Sequence, residues 1–114
     1  MSHLSILPTV LHDETLLAQA LQDLNFEVEW GGELQGFADD RQAVLLSIAA
    51  TSQQRLGWSR QGDGSLALVG DLQRLGRSSS LQTLIAQITR RYALRQALRA
   101  ASTELPNASV HLVH

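Results

Sequence analysis

The sequence predicts an α+β fold: a two-layer sandwich in which two helices cover one face of a mostly antiparallel sheet of about six strands. Two segments repeat apolar residues at the 3.6-residue period of an amphipathic helix, and the short segments between them alternate apolar and polar residues as strands do. Turn residues separate these segments, which gives the order β-α-β-β-β-β-α-β. With 114 residues, 44% of them hydrophobic, the chain is expected to form a single domain, residues 1–114.

The first predicted helix follows a short strand, Ser2–Leu7, whose residues alternate in polarity. Asp13 is a suitable N-cap because its carboxylate can accept hydrogen bonds from the free N–H groups of the first helical turn. Asn25 tolerates the left-handed conformation that often ends a helix. The apolar stripe of this helix consists of Leu16, Leu17, Ala20, Leu21 and Leu24.

The next segments indicate two strands separated by a loop. Phe26–Trp30 alternates, so its apolar residues, Trp30 included, are expected to face the core, while its two glutamates face water. Gly31–Asp40 is rich in glycine and aspartate, which predicts a mobile loop. Ala43–Ala49 is apolar on both faces, as expected for a central strand.

A hairpin is predicted around Gly62-Asp63-Gly64, between strands Arg55–Gln61 and Ser65–Asp71. A two-residue turn would leave the leucines of the second strand on the face opposite Trp58. A three-residue loop with a glycine bulge pairs Trp58 with Leu68 and Arg60 with Leu66, which keeps the large apolar groups on one face. Because a one-residue slip exchanges the two faces, we favour the three-residue loop.

The second predicted helix, Leu81–Ala101, begins after a cap at Ser78, Ser79 or Ser80, and a last strand is predicted within Leu105–His114. Its apolar stripe is formed by Leu81, Leu84, Ile85, Ile88 and Tyr92. Arg95 and Arg99 continue this stripe, while the apolar residues move sideways to Leu94 and Leu98. We therefore expect the helix to leave the sheet, or to rotate against another surface, after Tyr92.

Charge is segregated along the chain. Residues 1–71 hold ten of the eleven carboxylates and three of the nine arginines, a formal charge of −7, whereas residues 72–103 hold six arginines and no carboxylate. The basic stretch is therefore expected to meet a negative surface. That surface could belong to the protein's own acidic sheet, a second subunit, an acidic protein or a nucleic acid, and the lack of interleaved aromatic residues makes nucleic acid the least favoured.

The candidate binding residues are the arginines of the second helix, Arg90, Arg91, Arg95 and Arg99. Arg95 and Arg99 admit three interpretations. They can lie at the sheet rim, with their apolar stems over the core and their guanidinium groups in water. They can form ion pairs with carboxylates of the sheet, or they can bind an anion or a partner.

The sequence offers no catalytic residues, no metal site and no cofactor motif. Cysteine is absent, which excludes disulfides and thiolate chemistry, and lysine is absent too, which excludes Schiff-base chemistry. Glu27 and Glu29 share a face but are expected to be solvated, and the four histidines match no ligand spacing. No apolar run approaches the roughly 20 residues that span a bilayer, and no signal peptide is recognised.

Four segments carry a resemblance to a known family: Met1–Ser5, Leu21–Glu29, the hairpin from Asp63-Gly64 to Asp71, and Ile88–Leu94. In order and spacing they resemble the hypothetical chloroplast reading frame thirty-five family, a domain-of-unknown-function family of cyanobacteria and algal plastids. The resemblance implies a cytoplasmic protein, in a cyanobacterial cytosol or a plastid stroma, with no established activity. It also suggests an acidic, ferredoxin-like redox partner.

Within this resemblance His3 and Tyr92 match the family pattern and are the positions to test first. Leu94-Arg95 and the end of the sequence at His114 depart from it, because the family often has a polar aromatic residue or histidine near positions 94 and 95 and a longer tail. Any site carried by the family's tail is therefore not transferred to this chain.

The function expected from these observations is that of a non-enzymatic interaction module. Its arginine helix would dock an acidic protein partner or the mate in its own dimer, without a membrane. The alternative is a small regulatory domain that binds an anionic ligand in a pocket between the long helix and Gly31–Asp40.

Overall fold

A computed structural model shows that the chain has an α+β fold, as the sequence predicts. The structure describes residues 4–36, 39–51, 54–71, 77 and 79–104, apart from the side chains of residues 103 and 104. The helices are α1, Glu14–Asp23, and α2, Ser79–Glu104. The strands are β1 (Ser5–Leu7), β2 (Glu29–Trp30), β3 (Glu33–Gln35), β4 (Arg41–Ala43), β5 (Leu46–Ala49), β6 (Arg55–Arg60) and β7 (Leu66–Gly70).

Five of these strands form one antiparallel sheet in the order β1-β7-β6-β5-β2, and β3 and β4 form a separate two-stranded sheet. The sequence predicts one sheet of about six strands. The expected last strand, within Leu105–His114, lies outside the described residues, as does the beginning of Ser2–Leu7.

The main core lies between the five-stranded sheet and the two helices. Leu17 and Leu21 of α1 and Ile88 of α2 are buried against Leu56 of β6 and Leu68 of β7. Burial of such a side chain stabilises the fold by roughly 1.5–3 kcal/mol. The predicted stripes of both helices are therefore confirmed, with Leu24, Leu84 and Ile85 at the half-buried margin.

The ends of α1 agree with the sequence. The Asp13 side chain accepts hydrogen bonds from the N–H groups of Thr15 and Leu16, which makes it the N-cap. Leu24 is the C-cap, and Asn25 follows with a φ of 70°, the left-handed conformation that ends the helix.

The β6–β7 hairpin has the predicted register. Trp58 is opposite Leu68 and Arg60 is opposite Leu66, so the three-residue loop is confirmed. Gly64 has a φ of +89°, which glycine adopts without the steric cost that a Cβ atom would add.

The expectation that Gly31–Asp40 is only a loop is wrong. Gly31 and Gly32 adopt positive φ angles and turn the chain, so that β3 can pair with β4 and bury Leu34. Together with Val44 and Leu4, Leu34 packs on Val69, on the face of β7 opposite the helices.

Two further expectations about this region need correction. Ala43–Ala49 is not one strand, because Ala43 ends β4 and β5 begins at Leu46. Trp30 does not face the core. It lies on the edge strand β2 with 57% of its surface exposed, because none of the described strands or helices covers it there. Within the described residues, neither helix combines the length and apolar character needed to cross a membrane.

Candidate functional site

The second half of α2 is held on α1 by one buried hydroxyl group. Tyr92 is 4% exposed, and its phenolic oxygen accepts hydrogen bonds from the backbone N–H groups of His12 at 3.2 Å and Asp13 at 3.0 Å. These N–H groups precede the first turn of α1, where the helix itself supplies no acceptor. Tyr92, predicted as part of the apolar stripe, thus also fixes α2 to the beginning of α1.

Asp23, the last residue of α1, joins two of the predicted arginines. Its Oδ2 atom accepts hydrogen bonds from Nε of Arg91 at 2.8 Å and from Nε of Arg95 at 2.7 Å, and its Oδ1 atom accepts one from Nη2 of Arg95 at 2.6 Å. The Asp23 side chain is only 14% exposed, whereas the two arginines retain 42% and 36% exposure. The hydrogen bonds from Arg95 and Arg91 hold the pKa of Asp23 far below its usual value, and Asp23 in turn raises the pKa of Arg95.

Arg99 pairs with the other end of α1. Its Nη1 atom donates to Oδ2 of Asp13 at 2.6 Å, while Oδ1 of Asp13 caps the helix. Burial alone would raise the pKa of Asp13, but the hydrogen bonds from Arg99 and from the N–H groups of Leu16 and Thr15 outweigh it and lower that pKa. Arg91, Arg95 and Arg99 therefore form ion pairs, whereas the ion pairs considered for Arg95 and Arg99 from the sequence were with carboxylates of the sheet. Their carboxylate partners belong to α1 and its cap, and not to the sheet.

Arg90 differs from the other three arginines. It is exposed and forms no ion pair within the described part of the chain. The 3.6-residue period places it on the side of α2 opposite Tyr92. Four exposed residues, Leu94, Ala97, Leu98 and Ala101, share this side. We call these five residues the outer face of α2.

The outer face is apolar except for its arginine. Leu94 is 44% exposed and Leu98 is 58% exposed. Residues 79–102 include no carboxylate, so no acidic side chain from α2 itself neutralises Arg90. The sequence already places Leu94 and Leu98 to one side of the apolar stripe. The packing of Tyr92 against α1 shows that this side of the helix faces solvent.

An open cleft of about 470 Å³ lies beside the junction of α1 and α2. The pocket expected between the long helix and Gly31–Asp40 stays a prediction. The lining residues of the cleft are His12, Asp13, Glu14, Thr15, Arg60, Tyr92, Gln96 and Arg99. Arg60 is the component that sequence reasoning missed. Its guanidinium group donates to the carbonyl oxygen of Gly64 at 2.8 Å and to the Glu14 carboxylate, so it links the hairpin to α1. Both arginines of the cleft are thus already paired with carboxylates in the same lining.

The remaining candidate residues do not form a site in the described structure. Glu27 is exposed, and Glu29 forms an exposed ion pair of 2.6 Å with Arg55. No group of three or more histidine, cysteine, aspartate or glutamate residues in the described part could hold a metal ion. His3, like His111 and His114, lies outside the described residues, so its role stays a prediction.

Comparison with protein families matches residues 20–105 to DUF1257. The chain belongs to this family of proteins of unknown function. The DUF1257 match includes Asp23, Tyr92 and the four arginines of α2, but not the cap Asp13. The comparisons with curated proteins and with solved structures found no match. Membership of DUF1257 therefore supports the predicted family type and leaves the activity to be inferred from the geometry.

Proposed function

We propose that this chain is a non-enzymatic interaction module that docks a carboxylate-bearing protein surface through the outer face of α2. The observation that carries the proposal is the contrast among the four arginines. Among the described residues, Arg91, Arg95 and Arg99 are paired with carboxylates of α1 and its cap, whereas Arg90 has no ion-pair partner and lies beside exposed leucines. An exposed apolar patch that carries the Arg90 guanidinium favours a partner that presents apolar groups and a carboxylate.

The positive charge that α2 offers to a partner is confined to fewer arginines than the sequence alone suggests. Arg90 and Arg91 are adjacent in sequence, but the Arg91 guanidinium is directed to Asp23, and Arg90 lies on the outer face. Because the carboxylate partially neutralises Arg91, the steering charge for a partner is concentrated at Arg90. Charge reversal at Arg90 should therefore weaken docking more than any other single charge change on α2.

Site-specific photo-crosslinking in native lysate tests this proposal. A photoreactive residue is placed at Leu98, on the outer face, or at the exposed Asp39 as a positional control. We expect a specific adduct from position 98 that disappears with Arg90→Glu and weakens at high salt. Arg41→Glu, which changes the net charge equally at an exposed position in β4, should leave the adduct unchanged. Equal adducts from positions 98 and 39, or no effect of Arg90→Glu, would contradict the proposal.

The alternative, binding of a small anionic ligand, is favoured by one observation, the cleft that contains Arg60 and Arg99. Its two carboxylates, Asp13 and Glu14, would repel an anion and already occupy the arginines, so this function ranks second. Phosphate and citrate should then raise the melting temperature of the wild-type protein but not of Arg60→Gln. A flat response in both proteins would remove this candidate.

The resemblance to the hypothetical chloroplast reading frame thirty-five family supports a more specific origin within DUF1257. On that basis we assign the chain to cyanobacteria or plastids, with a cytosolic or stromal location. An acidic, ferredoxin-like protein would present the kind of carboxylate-bearing surface that the outer face requires. In the crosslinking experiment such a partner would appear as an adduct whose mass differs from twice that of the chain.

A further inference from the structure

Among the described strands, β1 and β2 form the two edges of the five-stranded sheet, and these edges differ in charge. β2 carries Glu29, an exposed carboxylate that pairs with Arg55. β1 carries no charged side chain, because residues 1–11 include no aspartate, glutamate, lysine or arginine. Its Ile6 and Leu7 are each 44% exposed. An uncharged, apolar edge pairs readily with the edge of another sheet, so β1 requires some other protection.

The alternation of hydrogen bonds in the sheet shows which backbone groups of β1 face outward. The N–H group of Leu66 in β7 donates a hydrogen bond of 2.7 Å to the segment between β1 and α1. Leu68, two residues further along β7, points the same way and is opposite Leu7. Leu7 therefore directs its N–H and C=O groups to β7, whereas the alternate residues Ile6 and Leu4 direct theirs to the free edge.

Asp40 occupies the first of these outward groups. Its Oδ2 atom accepts a hydrogen bond from the N–H group of Leu4 at 2.8 Å. The backbone of Asp40 is itself held in place, because its carbonyl oxygen accepts a hydrogen bond from the N–H group of Gly36 at 2.7 Å. A Cβ atom at Gly36 would lie 3.1 Å from Oδ2 of Asp40 and 3.0 Å from Cγ of Leu4. A larger residue at position 36 would therefore crowd this arrangement.

Without the Asp40 carboxylate, the edge of β1 would match the same edge of a second copy. Antiparallel pairing about a two-fold axis at Ser5 places Leu4 of each copy opposite Ile6 of the other, and each of these pairs exchanges both of its N–H···O=C hydrogen bonds. Half of those bonds need the N–H group of Leu4, which donates to Asp40. Alignment about Ile6 instead would place Leu4 opposite Pro8, which has no N–H group to donate.

We propose that Asp40 protects the free edge of β1 and so prevents two copies of the chain from joining their sheets. Its carboxylate fills the position that the carbonyl oxygen of an added strand would need. It also brings a negative charge to an edge that has none of its own. The surface concerned is an edge of the sheet, so this inference goes beyond the proposed function of the α2 outer face and is independent of it.

Sedimentation equilibrium of the purified chain, at up to about 1 mM protein, tests this protection. Asp40→Ala should dimerise with a dissociation constant at least about tenfold below that of the wild type. Asp39→Ala, which removes an exposed neighbouring carboxylate, should match the wild type. Ile6→Lys combined with Asp40→Ala should also match it, because a lysine on an edge strand blocks pairing. An Asp40→Ala chain that associates no more than the wild type, or a double variant that still dimerises, would overturn the inference.

Single cysteines in the Asp40→Ala background test the alignment, since the native chain has none. Residue 5 would meet its own copy at the two-fold axis, with Cα atoms about 4.5 Å apart. The two copies of Ala49, exposed in β5, would be about 34 Å apart across the joined sheets. Mild oxidation should therefore crosslink Ser5→Cys and not Ala49→Cys, because a disulfide needs Cα atoms within about 7 Å. Equal crosslinking of both would overturn the pairing.

Asp40→Asn keeps the inference testable even where Asp40→Ala does not fold. It preserves the shape of the side chain but replaces a charge-assisted hydrogen bond with a weaker neutral one. Amide hydrogen exchange at residue 4 should accelerate in dilute Asp40→Asn and slow again as protein concentration rises and β1 pairs. Exchange at residue 4 equal to that of the wild type at every concentration would overturn the protective role of Asp40.

Discussion

Arg95 donates two hydrogen bonds to the Asp23 carboxylate, from Nε to Oδ2 at 2.7 Å and from Nη2 to Oδ1 at 2.6 Å. The fork of a guanidinium group matches a carboxylate in this way, which gives the pair a defined geometry. Arg91 adds a third hydrogen bond to the same carboxylate at 2.8 Å. Since the two arginines are one turn apart on α2, Asp23 fixes the rotation of α2 and so determines which residues remain on its outer face.

Replacement of Asp23 should change how stability depends on pH. The pKa of Asp23 is lowered in the folded protein, mainly by Arg95 and then by Arg91, whereas the unfolded chain has an ordinary value of about 3.9. The stabilisation is therefore present above that value and is lost as pH falls through the window between the unfolded and folded pKa values. We expect Asp23→Asn to melt below the wild type at pH 7, with the difference shrinking as pH falls below about 4.

Thermal unfolding followed by circular dichroism over this pH range makes the measurement. Asp39→Asn, at an exposed position between β3 and β4, serves as the matched control and should follow the wild type at every pH. Wild-type and Asp23→Asn curves that stay parallel would contradict the assigned role of Asp23.

Removal of the Tyr92 hydroxyl should destabilise the protein by about 1–3 kcal/mol, because two backbone N–H groups lose their acceptor in a partly buried place. Urea unfolding of Tyr92→Phe gives the loss, and amide hydrogen exchange locates it at residues 12 and 13. Ile88→Val, which removes one buried methylene from the same helix face, should cost about 0.5–1.5 kcal/mol without selectively accelerating those two amides. Unchanged exchange at residues 12 and 13 in Tyr92→Phe would refute the anchoring role.

Several features could be predicted because they depend on short-range rules. The register of the β6–β7 hairpin follows from the requirement that Trp58 and Leu68 share a face, and a slip of one residue would reverse that face. The cap at Asp13 and the left-handed Asn25 follow from local backbone chemistry. Each of these is decided within a few residues of sequence.

The features that escaped prediction depend on distant contacts. Asp23 and Arg95 are 72 residues apart, so no local pattern indicates that α1 supplies the carboxylate for the α2 arginines. Trp30 alternates correctly for a buried strand, but its strand lies at the sheet edge, and exposure there is set by what the rest of the chain covers. The pairing of β3 with β4 likewise depends on burial of Leu34 against the face of the five-stranded sheet that the helices do not cover.

A Cβ atom at Gly57 should overpack the second, smaller core. It would lie 2.7 Å from Cγ1 of Val44, a distance that requires something to move. Gly57→Ala should therefore cost about 1–3 kcal/mol in urea unfolding. Val44→Ala removes the colliding methyl groups, so in the double variant the two losses should be less than additive by at least about 0.5 kcal/mol. Strict additivity would mean that β6 and the β3–β4 hairpin are not packed as described.

Asp13 should stabilise the protein more as a helix cap than as an ion-pair partner. Loss of an N-cap side chain typically costs about 0.5–2 kcal/mol, whereas an exposed ion pair contributes roughly 0–1 kcal/mol. Arg99 is 55% exposed, so solvent screens its attraction to Asp13. We therefore expect Asp13→Ala to lose about 1 kcal/mol. Asp13→Asn, which keeps an oxygen for the N–H groups of Thr15 and Leu16, should lose less, and Arg99→Ala should lose least. Urea titrations of the three variants would give this order, and an Arg99→Ala loss equal to that of Asp13→Ala would show that the ion pair, and not the cap, carries the effect.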